Sequence, residues 1–129
     1  MSALVVPIAP AGAAPAPQER AGTAITGTWK GRVVNQDGPA GYSGTIRLTR
    51  SKGSYRATVV YSRVGTRTRW VDDGRRGGWF RFREIPRAST DDGTGGTEIK
   101  VRRQGAALLV RYYVRDADYR GSMRAHRLR

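Results

Sequence analysis

The clearest fold signal in the chain is the stretch Trp79-Phe80-Arg81-Phe82-Arg83-Glu84, in which aromatic and basic side chains alternate. Successive side chains of a β-strand point to opposite faces of the sheet, so this alternation puts both phenylalanines on one face and both arginines on the other. A period of two recurs from Trp29 to Arg127, and no segment with helical period exceeds two turns. The stretch therefore predicts an all-β fold with an apolar inner face and a basic outer face.

The same periodicity predicts eight strands, separated by clusters of Gly, Asp, Asn and Ser. They cover residues 28–34, 43–49, 54–62, 65–71, 78–85, 97–103, 107–114 and 120–127. Hairpin loops are expected at residues 35–39, 51–53, 72–74, 91–96 and 104–105, where the residue types tolerate positive φ or cap local backbone groups. This spacing predicts a single antiparallel meander that forms a closed small barrel or a barrel-like sandwich.

Counting by twos within each predicted strand divides the side chains between the two faces. The predicted inward set is Trp29, Gly31, Val33, Gly44, Ile46, Leu48, Tyr55, Ala57, Val59, Tyr61, Phe80, Phe82, Ile99, Val101, Leu108, Val110, Tyr112, Val114, Gly121, Met123 and Ala125. The predicted outward set is Lys30, Arg32, Arg47, Arg56, Arg67, Arg69, Arg81, Arg83, Lys100, Arg102, Arg111, Arg124 and His126.

The chain is strongly basic, with a formal net charge of +14, and 21 of its 24 basic residues are arginine. Because most of this charge lies on predicted strand faces, it indicates a structured basic surface. The candidate binding residues on it are Arg47, Arg56, Arg67, Arg69, Arg81, Arg83, Arg102, Arg111 and Arg124. Three aromatic residues, Trp70, Trp79 and Tyr113, are expected to lie among them. The alternatives are contact with an anionic polymer, contact with an acidic protein, or a purely solubilising surface.

The first 23 residues differ in composition from the rest of the chain. Residues 3–10 are apolar and small residues follow at 11–14, a pattern typical of the end of a secretory signal, while residues 13–23 are rich in Pro and Ala. Residues 1–23 are therefore either a remnant signal peptide or a flexible Pro/Ala-rich arm, and residues 24–129 form the β-barrel-like domain. This interpretation predicts a secreted protein. No segment approaches the ~20 apolar residues of a membrane span.

Residues suited to catalysis or metal binding are sparse. The chain has one His and no Cys, and alternation places His126 on the outer face. Acidic doublets at residues 72–73, 91–92 and 116–118 lie in predicted turns, where Asp is favoured by its own hydrogen bonding. We therefore expect no enzyme activity, no metal site and no cofactor.

Glu84 is the exceptional acidic residue, because the phase of Phe80 and Phe82 directs it inward. A carboxylate in that position requires a partner such as an Arg side chain or a Tyr hydroxyl. Two interpretations remain open: a ligand-recognition residue at the mouth of a barrel, or a member of a salt bridge.

The string Ile25-Thr26-Gly27-Thr28-Trp29 resembles the first strand of avidin and streptavidin, and Gly27-x-Trp29 is similar to the entry strand of lipocalins. Both resemblances imply an eight-stranded meander barrel with an interior ligand cavity. The later tryptophans of the avidin pattern have no counterpart in this chain, so biotin binding is not implied.

A broader similarity, over about 100 residues, is to small extracytoplasmic β-domains of actinobacteria, either secreted or located behind the membrane segment of Ser/Thr kinases. It depends on Trp29-x-Gly31-x-Val33, Tyr42-x-Gly44-x-Ile46-x-Leu48, Val59-x-Tyr61, Phe80-x-Phe82-x-Glu84 and Gly121-x-Met123. Such domains often carry a Cys pair, which this chain lacks.

These features together predict a secreted, non-enzymatic protein–protein interaction module, an adaptor subunit of an extracellular assembly that docks an acidic protein through its arginine-rich face. One alternative is a binder of anionic polymers, either a cell-wall polymer or nucleic acid. Another is a lipocalin-like carrier of a small ligand, although large inward residues such as Trp29 and Phe82 favour an interior filled by side chains.

Overall fold

The computed structural model describes residues 24–87 and 97–129, which form one closed barrel of eight strands. The strands are β1 (Gly27–Asn35), β2 (Gly38–Ser51), β3 (Ser54–Tyr61), β4 (Arg67–Arg76), β5 (Trp79–Pro86), β6 (Thr97–Gln104), β7 (Ala107–Val114) and β8 (Tyr119–Arg127). Each strand is antiparallel to the next, and β8 pairs with β1. The predicted all-β meander is therefore confirmed, in its closed-barrel form. The interpretations of residues 1–23 and of the loop at 91–96 fall outside the described residues.

Two predicted loops are placed differently in the structure. The strand predicted at 43–49 begins at Gly38 as β2, and the strand predicted at 65–71 extends to Arg76 as β4. The Asp72-Asp73-Gly74 segment is therefore not a hairpin loop; it is an irregularity in the pairing of β4 with β5, where the register shifts between Asp72 and Arg75. The turn lies instead at Gly77 and Gly78, both with positive φ, which suits a tight two-residue hairpin.

The barrel interior is a single apolar cluster that receives alternate side chains from every strand. Most of the predicted inward residues are buried in it, from Trp29 and Val33 on β1 to Met123 and Ala125 on β8. Ile25, Trp70 and Ile85 are buried as well, although the inward set did not contain them. Val114, predicted inward, is only half-buried at the end of β7.

One end of the barrel is closed by the residues that precede β1. The Trp29 indole donates its N–H to the carbonyl of Ile25 (2.9 Å), and the guanidinium groups of Arg103 and Arg127 lie over the Trp29 ring. Arg103 also donates to the carbonyl of Ala24 (2.7 Å). This end forms a packed floor, and Glu84, near the end of β5, lies toward the opposite end.

Closure of the barrel between β1 and β8 depends on a close approach at Gly31. A Cβ atom at this position would lie 2.4 Å from the Arg124 carbonyl oxygen and 2.9 Å from the Ala125 Cα atom. Such distances are far below van der Waals contact, so glycine is what allows the two backbones to pair at this point.

Helical structure is confined, within the described ranges, to one 3₁₀ turn at Arg115–Ala117 between β7 and β8. Among those residues no helix has the length and apolar character needed to cross a membrane.

Candidate functional site

A concave basic groove lies on the outer side of β5 to β8, and we call it the β5–β8 groove. It encloses about 640 Å³. Its lining residues are Arg76, Arg81, Glu98, Lys100, Arg111, Tyr112, Tyr113, Arg115, Arg120 and Gly121. The register explains why they meet: Arg81 is opposite Lys100, and Lys100 is opposite Arg111, so three outward basic side chains form one row across three strands.

Positive charge in this groove is only partly neutralised. Glu98 is the one acidic residue among the described residues that line the groove, and it forms ion pairs with Arg81 (3.5 Å) and Arg115 (3.0 Å). Within the described part of the chain, Arg76, Lys100, Arg111 and Arg120 form no ion pair. Like charges held side by side on neighbouring strands repel each other, and an anion bound between them relieves that repulsion.

Two aromatic side chains hold arginines at the surface of the groove. The guanidinium groups of Arg102 and Arg111 lie 4.5 Å and 5.1 Å from the centre of the Trp79 ring, and that of Arg120 lies 5.4 Å from the centre of the Tyr113 ring. Cation–π contacts of this kind restrict the rotamers of otherwise flexible side chains. Less conformational entropy is then lost when an anion binds.

A second basic groove lies on the outer side of β2, β3 and β4, and we call it the β2–β4 groove. It encloses about 550 Å³. Three arginines line it, Arg47, Arg56 and Arg69, together with the hydroxyl-bearing residues Thr49, Ser54 and Thr58 and one acidic residue, Asp72. The Asp72 carboxylate is occupied at the rim of the groove, where it accepts hydrogen bonds from the backbone N–H groups of Tyr55 (2.8 Å) and Gly74 (2.8 Å).

The nine arginines predicted as one binding face are distributed around the barrel. Arg47, Arg56 and Arg69 line the β2–β4 groove, while Arg81 and Arg111 line the β5–β8 groove, with Arg102 beside it on Trp79. The other three lie outside both grooves. Arg67 is exposed at the start of β4, Arg83 pairs with Asp73 (3.6 Å), and Arg124 donates to the side chain of Gln104 (3.0 Å).

The predicted aromatic residues of the basic face do not all lie there. Trp79 and Tyr113 are on the outer side, but Trp70 is buried in the core with its ring centre 5.4 Å from that of Phe82. The prediction that Trp70 lies on the outer face is therefore wrong. Since Arg67 and Arg69 point outward, alternation alone directs Trp70 inward, so the signal was present in the sequence.

Several residues that line the β5–β8 groove were missing from the predicted binding face. Arg76 comes from the end of β4, Arg115 from the 3₁₀ turn and Arg120 from the start of β8. These positions lie at strand ends, where counting by twos assigns faces least reliably. Lys100 belongs to the predicted outward set but not to the nine arginines predicted to bind.

Glu84 lies on the inner wall and is held entirely by neutral donors. Its Oε2 atom accepts hydrogen bonds from the Tyr61 hydroxyl, the Thr68 hydroxyl (2.9 Å) and the Trp70 indole N–H (2.9 Å). A Tyr hydroxyl was one of the two partners expected for this carboxylate. Glu84 takes part in no ion pair among the described residues.

Two tyrosines beside Glu84 are held in the protonated form. Burial, reinforced by the neighbouring Tyr112 and by the charge of Glu84, raises the pKa of Tyr61 far above its ordinary value. Burial and the Glu84 charge likewise raise the pKa of Tyr112, whose buried hydroxyl interacts with that of Tyr61. Both phenols therefore act as neutral groups near a carboxylate, and neither is prepared to act as a base.

The remaining acidic residues and the histidine are engaged in local structure or exposed. Asp72 and Asp73 have the partners given above, Asp118 accepts a hydrogen bond from the Tyr113 hydroxyl (3.3 Å), and His126 is exposed on β8. Among residues 24–87 and 97–129, no cluster of three His, Cys, Asp or Glu side chains is placed to hold a metal ion.

Comparison with known proteins yields no match to a protein-family model, to a curated protein or to a solved structure.

Proposed function

We propose that this protein is a non-enzymatic binding protein that holds an anionic polymer in the β5–β8 groove. The observation that carries the proposal is the composition of that groove, in which six cationic side chains face one carboxylate across a concave surface. The carboxylate of Glu98 contacts two of the six, Arg81 and Arg115, but its single negative charge offsets only one positive charge. The apolar stretch at residues 3–10 supports an extracytoplasmic location for this activity.

A polymer is favoured over a folded acidic protein because the described surface offers little apolar area for an interface. Stable protein–protein interfaces are built around an apolar centre with a polar rim. The large hydrophobic side chains exposed within the described residues are Val34, Val60, Val64 and Leu128, and none of them lines the β5–β8 groove. Electrostatic attraction is the main force that this groove offers, and a linear polyanion needs no other.

Phosphodiester groups are the anions that fit the groove chemistry best. Five of its six cationic residues are arginine, and the planar guanidinium presents paired N–H donors that match two oxygens of a phosphate. Nucleic acids and phosphate-linked cell-wall polymers share this chemistry. We therefore define the ligand class as a linear phosphodiester polymer.

The test is a binding titration by fluorescence anisotropy with a labelled 20-nucleotide oligo-dT and with a labelled base-free poly(glycerol phosphate). The measurements run from 50 to 300 mM NaCl. If about four phosphates are neutralised, log K is expected to fall with log salt with a slope of about −3 for a single strand. Equal binding of the two polymers would indicate recognition of the backbone alone, whereas preference for oligo-dT would indicate nucleic acid.

A matched pair of variants locates the site. The groove variant Lys100→Gln/Arg111→Gln/Arg120→Gln removes three charges from the β5–β8 groove, and the control variant Arg32→Gln/Lys52→Gln/Arg67→Gln removes three exposed charges outside both grooves. We expect the groove variant to weaken binding at 100 mM NaCl by at least about tenfold, and the control by about threefold or less, since only contacting groups release counterions. Equal weakening, or no binding of either polymer at 50 mM NaCl, would overturn the proposal. If the tagged protein instead retained an acidic protein through a high-salt wash, the adaptor function would be favoured.

A further inference from the structure

The two basic grooves occupy different sides of the barrel and share no residue. The β2–β4 groove is centred on β3, and the β5–β8 groove is centred on β6 and β7, about half the circumference away in a closed ring of eight strands. In a closed barrel, strands separated by half the circumference present their outer faces in opposite directions. A ligand seated in one groove is therefore shielded from the other by the packed core.

The β2–β4 groove has its own arrangement for anions. Cross-strand register places Arg47 opposite Thr58 and Thr58 opposite Arg69, so two guanidinium groups flank a hydroxyl across three strands. Neighbouring strands are ~4.8 Å apart, so the two arginine Cα atoms are separated by roughly 10 Å, a gap in which one anionic group can be contacted from both sides. Arg56 lies on the same face of β3, one residue pair further along.

The acidic residue of this groove, Asp72, forms no ion pair with Arg47 or Arg56 in the part of the chain that the structure describes. Asp72 is committed to backbone N–H groups at the rim, and its carboxylate also accepts a hydrogen bond from Ser54 (3.3 Å). Arg47 and Arg56 form no ion pair within the described ranges. Positive potential therefore persists in the groove together with hydroxyl donors from Thr49 and Thr58.

We infer that the β2–β4 groove is a second phosphodiester-binding site and that the protein is bivalent, bridging two polymer segments held on opposite sides of the barrel. This inference rests on the proposed function of the β5–β8 groove. Bivalency adds a crosslinking activity: two separate polymer chains are joined through one protein molecule. On one long polymer it adds avidity, because the second segment is captured at a high effective concentration.

The first measurement is stoichiometry with a short probe. Native mass spectrometry with a six-nucleotide oligo-dT is expected to give two oligonucleotides per wild-type protein. The variant Arg47→Gln/Arg56→Gln and the β5–β8 groove variant are each expected to retain one, and the control variant is expected to retain two. A wild-type stoichiometry of one would overturn the inference, even if the polymer binds well.

The second measurement detects bridging directly by energy transfer between donor-labelled and acceptor-labelled 20-nucleotide oligo-dT. Energy transfer is expected with wild-type protein and with the control variant. It should be lost in either single-groove variant, while anisotropy at 50 mM NaCl still reports binding at the remaining groove. Binding without energy transfer in the wild type would contradict bivalency and leave the proposed function standing. Loss of anisotropy as well would mean that the proposed function itself fails. Sedimentation of the free protein serves as the control for self-association, because a dimer with one site per subunit would mimic bridging.

Discussion

One oxygen atom of Glu84 accepts three hydrogen bonds from neutral donors on the inner wall of the barrel. Two of the donors, Thr68 and Trp70, belong to β4, and the third, the Tyr61 hydroxyl, belongs to β3. A carboxylate placed there without donors would cost several kcal/mol of desolvation free energy. The three donors offset that cost. Burial raises the pKa of Tyr61, and the hydrogen bond to Glu84 raises it further, since a phenolate could not donate to the carboxylate.

This arrangement makes the free energy of unfolding sensitive to alkaline pH. Tyr61 and Tyr112 have raised pKa values in the folded protein, whereas the unfolded chain ionises them near pH 10. The stability that they contribute is complete below pH 10 and is lost as pH rises above it, because the unfolded state then binds fewer protons than the folded state. The expected loss is about 1.4 kcal/mol per pH unit for each group between pH 10 and 11.5.

Urea denaturation at pH 9, 10, 10.5, 11 and 11.5 measures this loss. In Tyr61→Phe the decline in the free energy of unfolding above pH 10 should be smaller by the contribution of one group, about 1.4 kcal/mol per pH unit. This holds whatever the stability of the variant at pH 9. An identical decline in wild type and variant would contradict the assignment of the pH effect to Tyr61.

At the scale of the strands, the sequence pattern predicts where each strand lies but not how the strands come together. Alternation identified all eight strands, because apolar and basic side chains occupy opposite faces in each of them. It failed at Gly38-Pro39 and at Asp72-Asp73-Gly74, because the residues that favour turns also accommodate irregular pairing within a strand. The outward direction of Arg81, Lys100 and Arg111 was predictable strand by strand. Their proximity was not, because it depends on the register between strands and on the curvature of the closed sheet.

The β1–β8 pairing should be the pairing most sensitive to a single added methyl group. In Gly31→Ala the new Cβ atom would meet the backbone of β8 at Arg124 and Ala125, and backbone cannot move aside as a flexible side chain can. We expect a loss of at least about 2 kcal/mol in the free energy of unfolding, within the range for overpacked cores. Ser122→Ala, an exposed change on β8, is the matched control and should stay within about 0.5 kcal/mol. Chemical denaturation of both variants measures the difference. Equal free energies of unfolding would show that the backbones of β1 and β8 can move apart at Gly31 without loss of stability.

The whole molecule carries a net charge of +14 on 129 residues, and 23 of its 24 basic residues lie in the described ranges. Folding brings these charges closer together than they are in the unfolded chain, and the resulting repulsion opposes the compact state. Cation–π contacts and the three ion pairs found in the described part of the chain offset only part of it. Binding of a polyanion relieves the same repulsion.

Salt should therefore stabilise the fold of the free protein. Between 10 and 300 mM NaCl the Debye length falls from about 30 Å to below 8 Å, which screens repulsion between exposed charges. We expect the free energy of unfolding in urea, an uncharged denaturant, to rise by about 1 kcal/mol, the scale of a few exposed charge interactions. The β5–β8 groove variant should show a smaller rise because it carries three fewer charges. A decrease in stability with salt would mean that the ion pairs outweigh the repulsion.

Closure of the barrel also limits how any partner can be recognised. Every one of the eight strands has a hydrogen-bonded neighbour on both sides, since β8 returns to β1. A sheet without an edge strand offers no row of unpaired backbone groups to which another chain can add. The barrel formed by residues 24–87 and 97–129 therefore offers no edge at which a second copy or a partner could add a strand. Recognition at the barrel falls to side chains, whose identity evolution can change one position at a time without disturbing the hydrogen bonds that hold the ring together.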